Sequence, residues 1–353
     1  MPGPRQRMAP EPSVTRTTLF AAAILCVLSA PPARAQGEPR LKAVLAQWDS
    51  DPHGDLRGVI VLRNGRTVAE RYYQGEKATS LHDIRSAGKS VTSLLVGIAI
   101  DQGKVKSAED TTGTYWPEAR GTALGDVALK DVLTMRSGLA AFDADDASPG
   151  HEDRLDEAAD PLAFILALPR AEPPGSVYRY NSVTASAAGI VVAKAAGERM
   201  AEFARKQLFA PLGIQRWKWA SDAAGYTKGQ GNLSLTLRDF ATLGEMVRNE
   251  GVYRGRRIVS AAWLRQSLAP AAVISDVDPY ADGYGYFWYS KTHTLNGRPV
   301  QVSFASGNGG NKLYIVPERK LVVAITSSAY GRGYGQRRSE DILKAVLAAD
   351  AER

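Results

Sequence analysis

Strand-forming sequence is confined to the two ends of this chain, and helical periodicity fills the interval between them. The segment Gly58–Tyr73 (GVIVLRNGRTVAERYY) holds two β-rich runs around Asn64-Gly65, a dipeptide that favours a two-residue hairpin turn. Toward the other end Gly283–Tyr289, Val300–Ala305, Lys312–Val316 and Leu321–Thr326 read as strands, the last two joined by Pro317-Glu318-Arg319-Lys320. Helices fit Leu41–Trp48 and Arg338–Ala349 at the flanks, and Val183–Ala196 and Leu237–Asn249 between them. Joining both groups of strands into one sheet is the economical reading. It predicts an α/β (α+β) fold: an antiparallel sheet flanked by N- and C-terminal helices, carrying an inserted, mainly helical domain. Residues 36–110 and 275–353 form the expected sheet domain, and 111–274 the insertion.

An apolar fraction of 44% with 23% charged residues is ordinary globular usage, which excludes wholesale disorder and fibrous designs. The net charge of +7 suggests an acidic partner only until residues 1–35 are set aside. Arg5, Arg7, Arg16 and Arg34 stand there against Glu11, and the rest of the chain has no Lys/Arg cluster, so no nucleic-acid partner is expected. Residues 1–35 read as an export signal: arginines, then the apolar run Leu19–Ala30, then small residues at Ala33 and Ala35. That run is too short to span a bilayer. The expected product is periplasmic or secreted, without membrane attachment after cleavage. Cys26, the one cysteine, lies inside the segment, so the mature chain is expected to lack disulfides, a cysteine nucleophile and thiolate metal sites.

The chemistry narrows by elimination. His53, His82, His151 and His293 are scattered, and His151-Glu152 lacks a second histidine four residues after the first, so neither a metal nor any other cofactor is expected. Ile84 stands where a Gly-x-Ser-x-Gly elbow needs its first glycine, and Asp83 where a phosphate loop needs one. What remains is Ser86-x-x-Lys89, opening an apolar segment with Val91, Leu94, Leu95, Ile98 and Ala99 at helical spacing. One helical turn separates the two, so they share a face. A buried lysine loses proton affinity and can take the proton of a serine hydroxyl, and backbone amides at the first turn suit a developing oxyanion.

The order of further blocks carries a resemblance. Ser86–Ile100 (SAGKSVTSLLVGIAI), Lys130–Leu139 (KDVLTMRSGL), Pro173-Pro174-Gly175 leading into Tyr180-Asn181-Ser182, Asn232–Asp239 (NLSLTLRD) and Gly307–Asn311 (GNGGN) follow one another. Over roughly residues 40 to 350 this resembles the serine β-lactamase and penicillin-binding superfamily, and within it the class C-like branch of esterases, amidases and 6-aminohexanoate-dimer-hydrolase-like enzymes. The resemblance implies Ser86 as acylated nucleophile, Lys89 as its base and Tyr180 as proton relay. It implies an oxyanion hole from the amides of Ser86 and Asn311, and substrate contacts from Ser182, Asn308, Gly309 and Gly310 along a strand edge.

Two departures qualify it. Ser182 stands where the tyrosine motif usually ends in asparagine, and neutral Asn308 replaces a cation that pairs with a carboxylate in the family. Ester or amide cleavage is therefore expected ahead of β-lactam or D-Ala-D-Ala hydrolysis; an inactive binding protein on the same fold is the third reading. The segment Asp143–Asp160 carries eight acids against Arg154 and reads as a solvated loop, with attraction of amine-bearing substrates as the alternative. Tyr284, Tyr286, Phe287 and Trp288 read as core, with one or two on a cleft wall.

Overall fold

The computed structural model describes residues 1–4 and 34–351. Most of the expected export segment lies outside the described residues. Among them the main sheet has eight strands: β1 (Leu56–Arg63), β2 (Arg66–Tyr72), β3 (Ala272–Val273), β4 (Gly283–Tyr284), β5 (Tyr289–Leu295), β6 (Arg298–Gly307), β7 (Asn311–Val316) and β8 (Leu321–Ser327). Their order is β2-β1-β8-β7-β6-β5-β4-β3, and every pairing is antiparallel. The two ends of the chain thus meet at β1 and β8, where Val59 faces Ile325 and Val61 faces Val323.

β7 and β8 are buried at every position, which is why their sequences show no polar alternation: both faces are covered. On one face lies α4 (Leu237–Arg248), packed on β1, β7 and β8; on the other, α1 (Arg34–Ala46) and α5 (Tyr334–Ala351) pack together. A Cβ at Gly244 of α4 would stand 2.7 Å from Leu313 and Val322, so the helix rests directly on the sheet. α2 (Gly88–Asp101) is buried from Gly88 through Ala99 and packs on α3 (Ser182–Ala196). Its all-round apolar sequence therefore marks a central helix.

The expected strand Gly283–Tyr289 is interrupted. Tyr286 N–H donates to Ser267 O and Phe287 N–H to Leu133 O, both at 2.9 Å, and Phe287 takes a φ of +60°. The backbone leaves the sheet there to bond the helical region. Tyr284, Tyr286, Phe287 and Trp288 are all buried as expected.

Candidate active site

Ser86 does not begin α2; it sits in a 3-10 turn, Arg85–Ala87, immediately before it. Asp83 holds that turn, accepting the Arg85 N–H at 2.8 Å and the Asn232 amide at 3.1 Å, while Arg85 takes a left-handed φ of +53°. A strained non-glycine residue beside a half-buried hydroxyl at a cavity is a feature of functional turns. Ile84 N–H donates to Leu233 O at 2.9 Å. Two glycines let the backbone close in: a Cβ at Gly307 would lie 2.0 Å from Ile84 O, and one at Gly231 2.7 Å from Arg85 O.

Lys89, one turn into the buried core, is 2% exposed. Its Nζ donates to Ser86 Oγ at 3.0 Å, to Ser182 Oγ at 3.2 Å and to Gln230 O at 2.9 Å. The Tyr180 ring centroid lies 4.9 Å from Nζ. Asn181 caps α3 by accepting the Thr184 N–H at 2.9 Å, which sets Tyr180 just outside the helix and Ser182 at its start. The sequence-predicted trio of Ser86, Lys89 and Tyr180 is therefore brought together.

Ser182 is placed differently from expectation. It is fully buried beneath Lys89 and lines neither cavity that borders Ser86, so it is a link and not a substrate contact. Its hydroxyl lies 2.8 Å from Asp143 Oδ2 and 3.1 Å from Glu152 Oε2. A single hydroxyl proton serves only one of these carboxylates at a time. Burial pushes the Asp143 carboxyl up from its ordinary value, with Glu152 acting the same way and Lys89 and Ser182 opposing. The Asp143 N–H donates to Tyr180 O at 3.0 Å. The acidic segment, read by default as a solvated loop, thus sends two carboxylates into the site. These contacts span 39 and 30 positions of sequence, and nothing local marks which acids turn inward.

The opposite wall also needs correction. β6 ends at Gly307, and Asn308, Gly309 and Gly310 form the turn to β7. Gly309 and Gly310 adopt φ of +83° and +88° and pack against Ala329, Tyr330 and Gly335, so they are buried turn residues and line neither cavity that borders Ser86. Asn311 is fully buried, pairs with Gly307, and spends its side chain on Asn308 O and on Ser327. Its backbone stands in the β6–β7 hairpin opposite Gly307. Asn308 is exposed at the cavity; its Oδ1 accepts the Gly331 N–H at 2.8 Å. Among the described residues no acceptor takes the backbone N–H of Ser86 or of Asn308.

These groups border a cavity of about 410 Å³ lined by Ser86, Tyr180, Asp143, Glu152, Tyr280, Tyr289, Ser306, Asn308 and Lys312. A smaller recess beside it, about 120 Å³, adds Arg85, Asp156 and Gln230. No histidine lines either one. Lys312 escaped the sequence reading because a lysine next to a Gly-rich turn carries no signal until the register shows which way it points.

A family model described as Beta-lactamase matches residues 51–347. The 6-aminohexanoate-dimer hydrolase of Paenarthrobacter ureafaciens is 26% identical over 282 residues, 76% of this chain and 71% of that one. Among solved structures, a family VIII carboxylesterase matches with a TM-score of 0.69 at 16% identity, over 88% of this chain and 97% of its own. A class C β-lactamase from Rhodobacter sphaeroides matches with 0.65 at 16% identity, over 88% and 99%. At such identities the two structures speak for the fold.

Proposed function

Because the chain belongs to the serine β-lactamase and penicillin-binding superfamily and is a hydrolase of that fold, we propose that it cleaves a small ester or amide through an acyl-enzyme on Ser86. The observation that carries this reading is the 3.0 Å contact between Ser86 Oγ and the buried Lys89 Nζ at the floor of a cavity. In acylation Ser86 Oγ attacks the carbonyl carbon and its proton passes to Lys89. The carbonyl oxygen gains negative charge opposite the acceptor-free N–H groups of Ser86 and Asn308, the pair assigned here as oxyanion donors in place of Ser86 and Asn311. Tyr180 gives a proton to the leaving oxygen or nitrogen as the bond to carbon breaks, and recovers one from Lys89. Water then gives its proton to the same pair and attacks the acyl carbon, and Ser86 Oγ leaves with a proton.

A relative named for hydrolysis of an amide dimer and a fold neighbour named a carboxylesterase support the two bond types. Export follows from the leader reading of residues 1–35, and N-terminal sequencing of the protein from extracellular fractions tests it. For the chemistry, a fluorophosphonate probe followed by peptide mass mapping is the test. The expected result is one adduct on the peptide bearing Ser86, absent in Ser86→Ala. A wild-type protein that stays unlabelled would mean an inactive binding protein on this fold.

A further inference from the structure

Two lysines are buried among the described residues, Lys89 and Lys312, and the reaction above uses only the first. Lys312, the second residue of β7, lies opposite Ser306 of β6, so both side chains stand on one face of the sheet. Its Nζ donates to Ser306 Oγ at 2.8 Å and lies 4.7 Å from the Phe304 ring centroid and 5.9 Å from that of Tyr280. No carboxylate lies within ion-pair distance of it among the described residues: Glu340 of α5 is engaged by Lys291 at 2.8 Å and Lys344 at 2.9 Å, and Asp278, which lines the same cavity, accepts the Tyr280 N–H through one oxygen. One proton of the ammonium is satisfied by Ser306, and the others have only aromatic faces.

Burying a cation without a counter-ion in contact is expensive, and a cost of that kind is retained where the charge has a use. Burial pushes Lys312 down to about 8 against the pull of Asp278 and Glu340, with Lys291 adding to the depression. Despite its burial, Lys312 borders the same cavity as Ser86, with Tyr280 and Tyr289 beside it. Both a cavity wall and unused donors are what a bound anion requires.

We propose that Lys312 anchors a carboxylate of the substrate, so that the preferred substrates are esters or amides carrying a free carboxylate at a distance from the scissile bond. The inference rests on the Ser86 acyl-enzyme reading. It also revises the expectation drawn from neutral Asn308: the cation is present, carried by the neighbouring strand and not by the turn.

The test uses matched pairs: mono-p-nitrophenyl esters of adipic, pimelic and suberic acid, and the same esters with the far carboxyl capped as methyl ester. Wild-type kcat/KM should favour the free acid at one of these lengths by about tenfold to a hundredfold, the range of a charge-assisted hydrogen bond. Lys312→Met should bring that ratio close to one, and Lys312→Arg should restore part of it. Should the methionine variant fail to fold, inhibition of the wild type decides: the dicarboxylate of the preferred length should inhibit capped-ester turnover more strongly than its dimethyl ester. Equal kcat/KM for free and capped esters at every length, or a preference that survives in Lys312→Met, would overturn the proposal. Turnover that survives Ser86→Ala would instead overturn the nucleophile assignment.

Discussion

Asp143→Asn is the substitution that reports most directly on how the buried cluster handles its proton. Two hydrogen bonds, of 3.2 and 2.8 Å, connect Lys89 Nζ through Ser182 Oγ to Asp143 Oδ2. The two charges therefore lie within about 6 Å, where their attraction is roughly 0.7 kcal/mol at the permittivity of water and roughly 3 kcal/mol at an effective value of 20. Divided by 1.36 kcal/mol per unit, that is about 0.5 to 2 pH units. The sign follows from the direction of the reaction. On the proposed mechanism acylation needs the Ser86–Lys89–Tyr180 cluster to have shed a proton, and an ionised Asp143 favours keeping it. Removing that charge should move the acidic limb of kcat/KM to lower pH by this amount. The assay is the pH dependence of kcat/KM for an uncharged ester such as p-nitrophenyl butyrate, in buffers of constant ionic strength. A limb that stays put, or moves to higher pH, refutes the electrostatic link between Asp143 and the cluster. Glu152→Gln, acting on the same hydroxyl at 3.1 Å from a more exposed position, should shift the limb in the same direction by less.

Two further outcomes follow from packing and charge. Gly307→Ala puts a methyl group 2.0 Å from Ile84 O, so the nucleophile turn must move; kcat/KM should fall about a hundredfold with a loss of about 1 to 3 kcal/mol in urea unfolding. An unchanged rate would mean that the wall and the turn are not coupled. Arg338, 5% exposed, pairs with Asp51 at 2.7 Å and Asp55 at 2.5 Å, and Arg338→Met leaves both acids without a counter-charge, costing about 3 to 5 kcal/mol in urea unfolding at neutral pH. Burial raises the Asp55 carboxyl, but its bonds to Tyr334 and Arg338 outweigh this and hold it below its ordinary value. Its contribution is therefore present above the unfolded carboxylate pKa of about 3.9 and lost as pH falls through the folded value. The gap between wild type and variant should narrow on acidification below pH 4, and a gap that widens would contradict the pairing.

Local signals were read correctly where local physics decides. Asn64-Gly65 makes the β1–β2 turn with φ of +50° and +73°, and the nearly unbroken apolar runs of β7 and β8 became the sheet's covered centre. The same Asn-Gly signal recurs at Asn296-Gly297, φ +51° and +75°, between β5 and β6, and β5 went unread because Tyr289–Leu295 (YSKTHTL) is polar on a half-exposed strand. Ser86, Lys89 and Tyr180 were legible since helical spacing and motif order survive in one dimension. Asn308 lies at the cavity as expected, whereas Ser182, Gly309, Gly310 and Asn311 were misplaced because their roles turn on which side of a hairpin or helix start each residue leaves, a matter of register. Lys312 and Asp143 were silent for a related reason: each becomes part of the site through contacts with residues far away in sequence.

The seam between β1 and β8 also dictates when this molecule can come into being. Arg57 and Ser328, hydrogen bonded at 2.8 Å, are separated by 271 positions. A ribosome making the chain releases Ser86 and Lys89 long before it makes β6, Asn308 or Lys312, so the nascent polypeptide holds this pair with one wall of the cavity missing. Pairing across so long a separation in sequence makes assembly slow and leaves the side of β1 away from β2 unpaired for the duration. Completion of the cavity is thus postponed until the last strands exist, a delay written into connectivity and requiring no inhibitor.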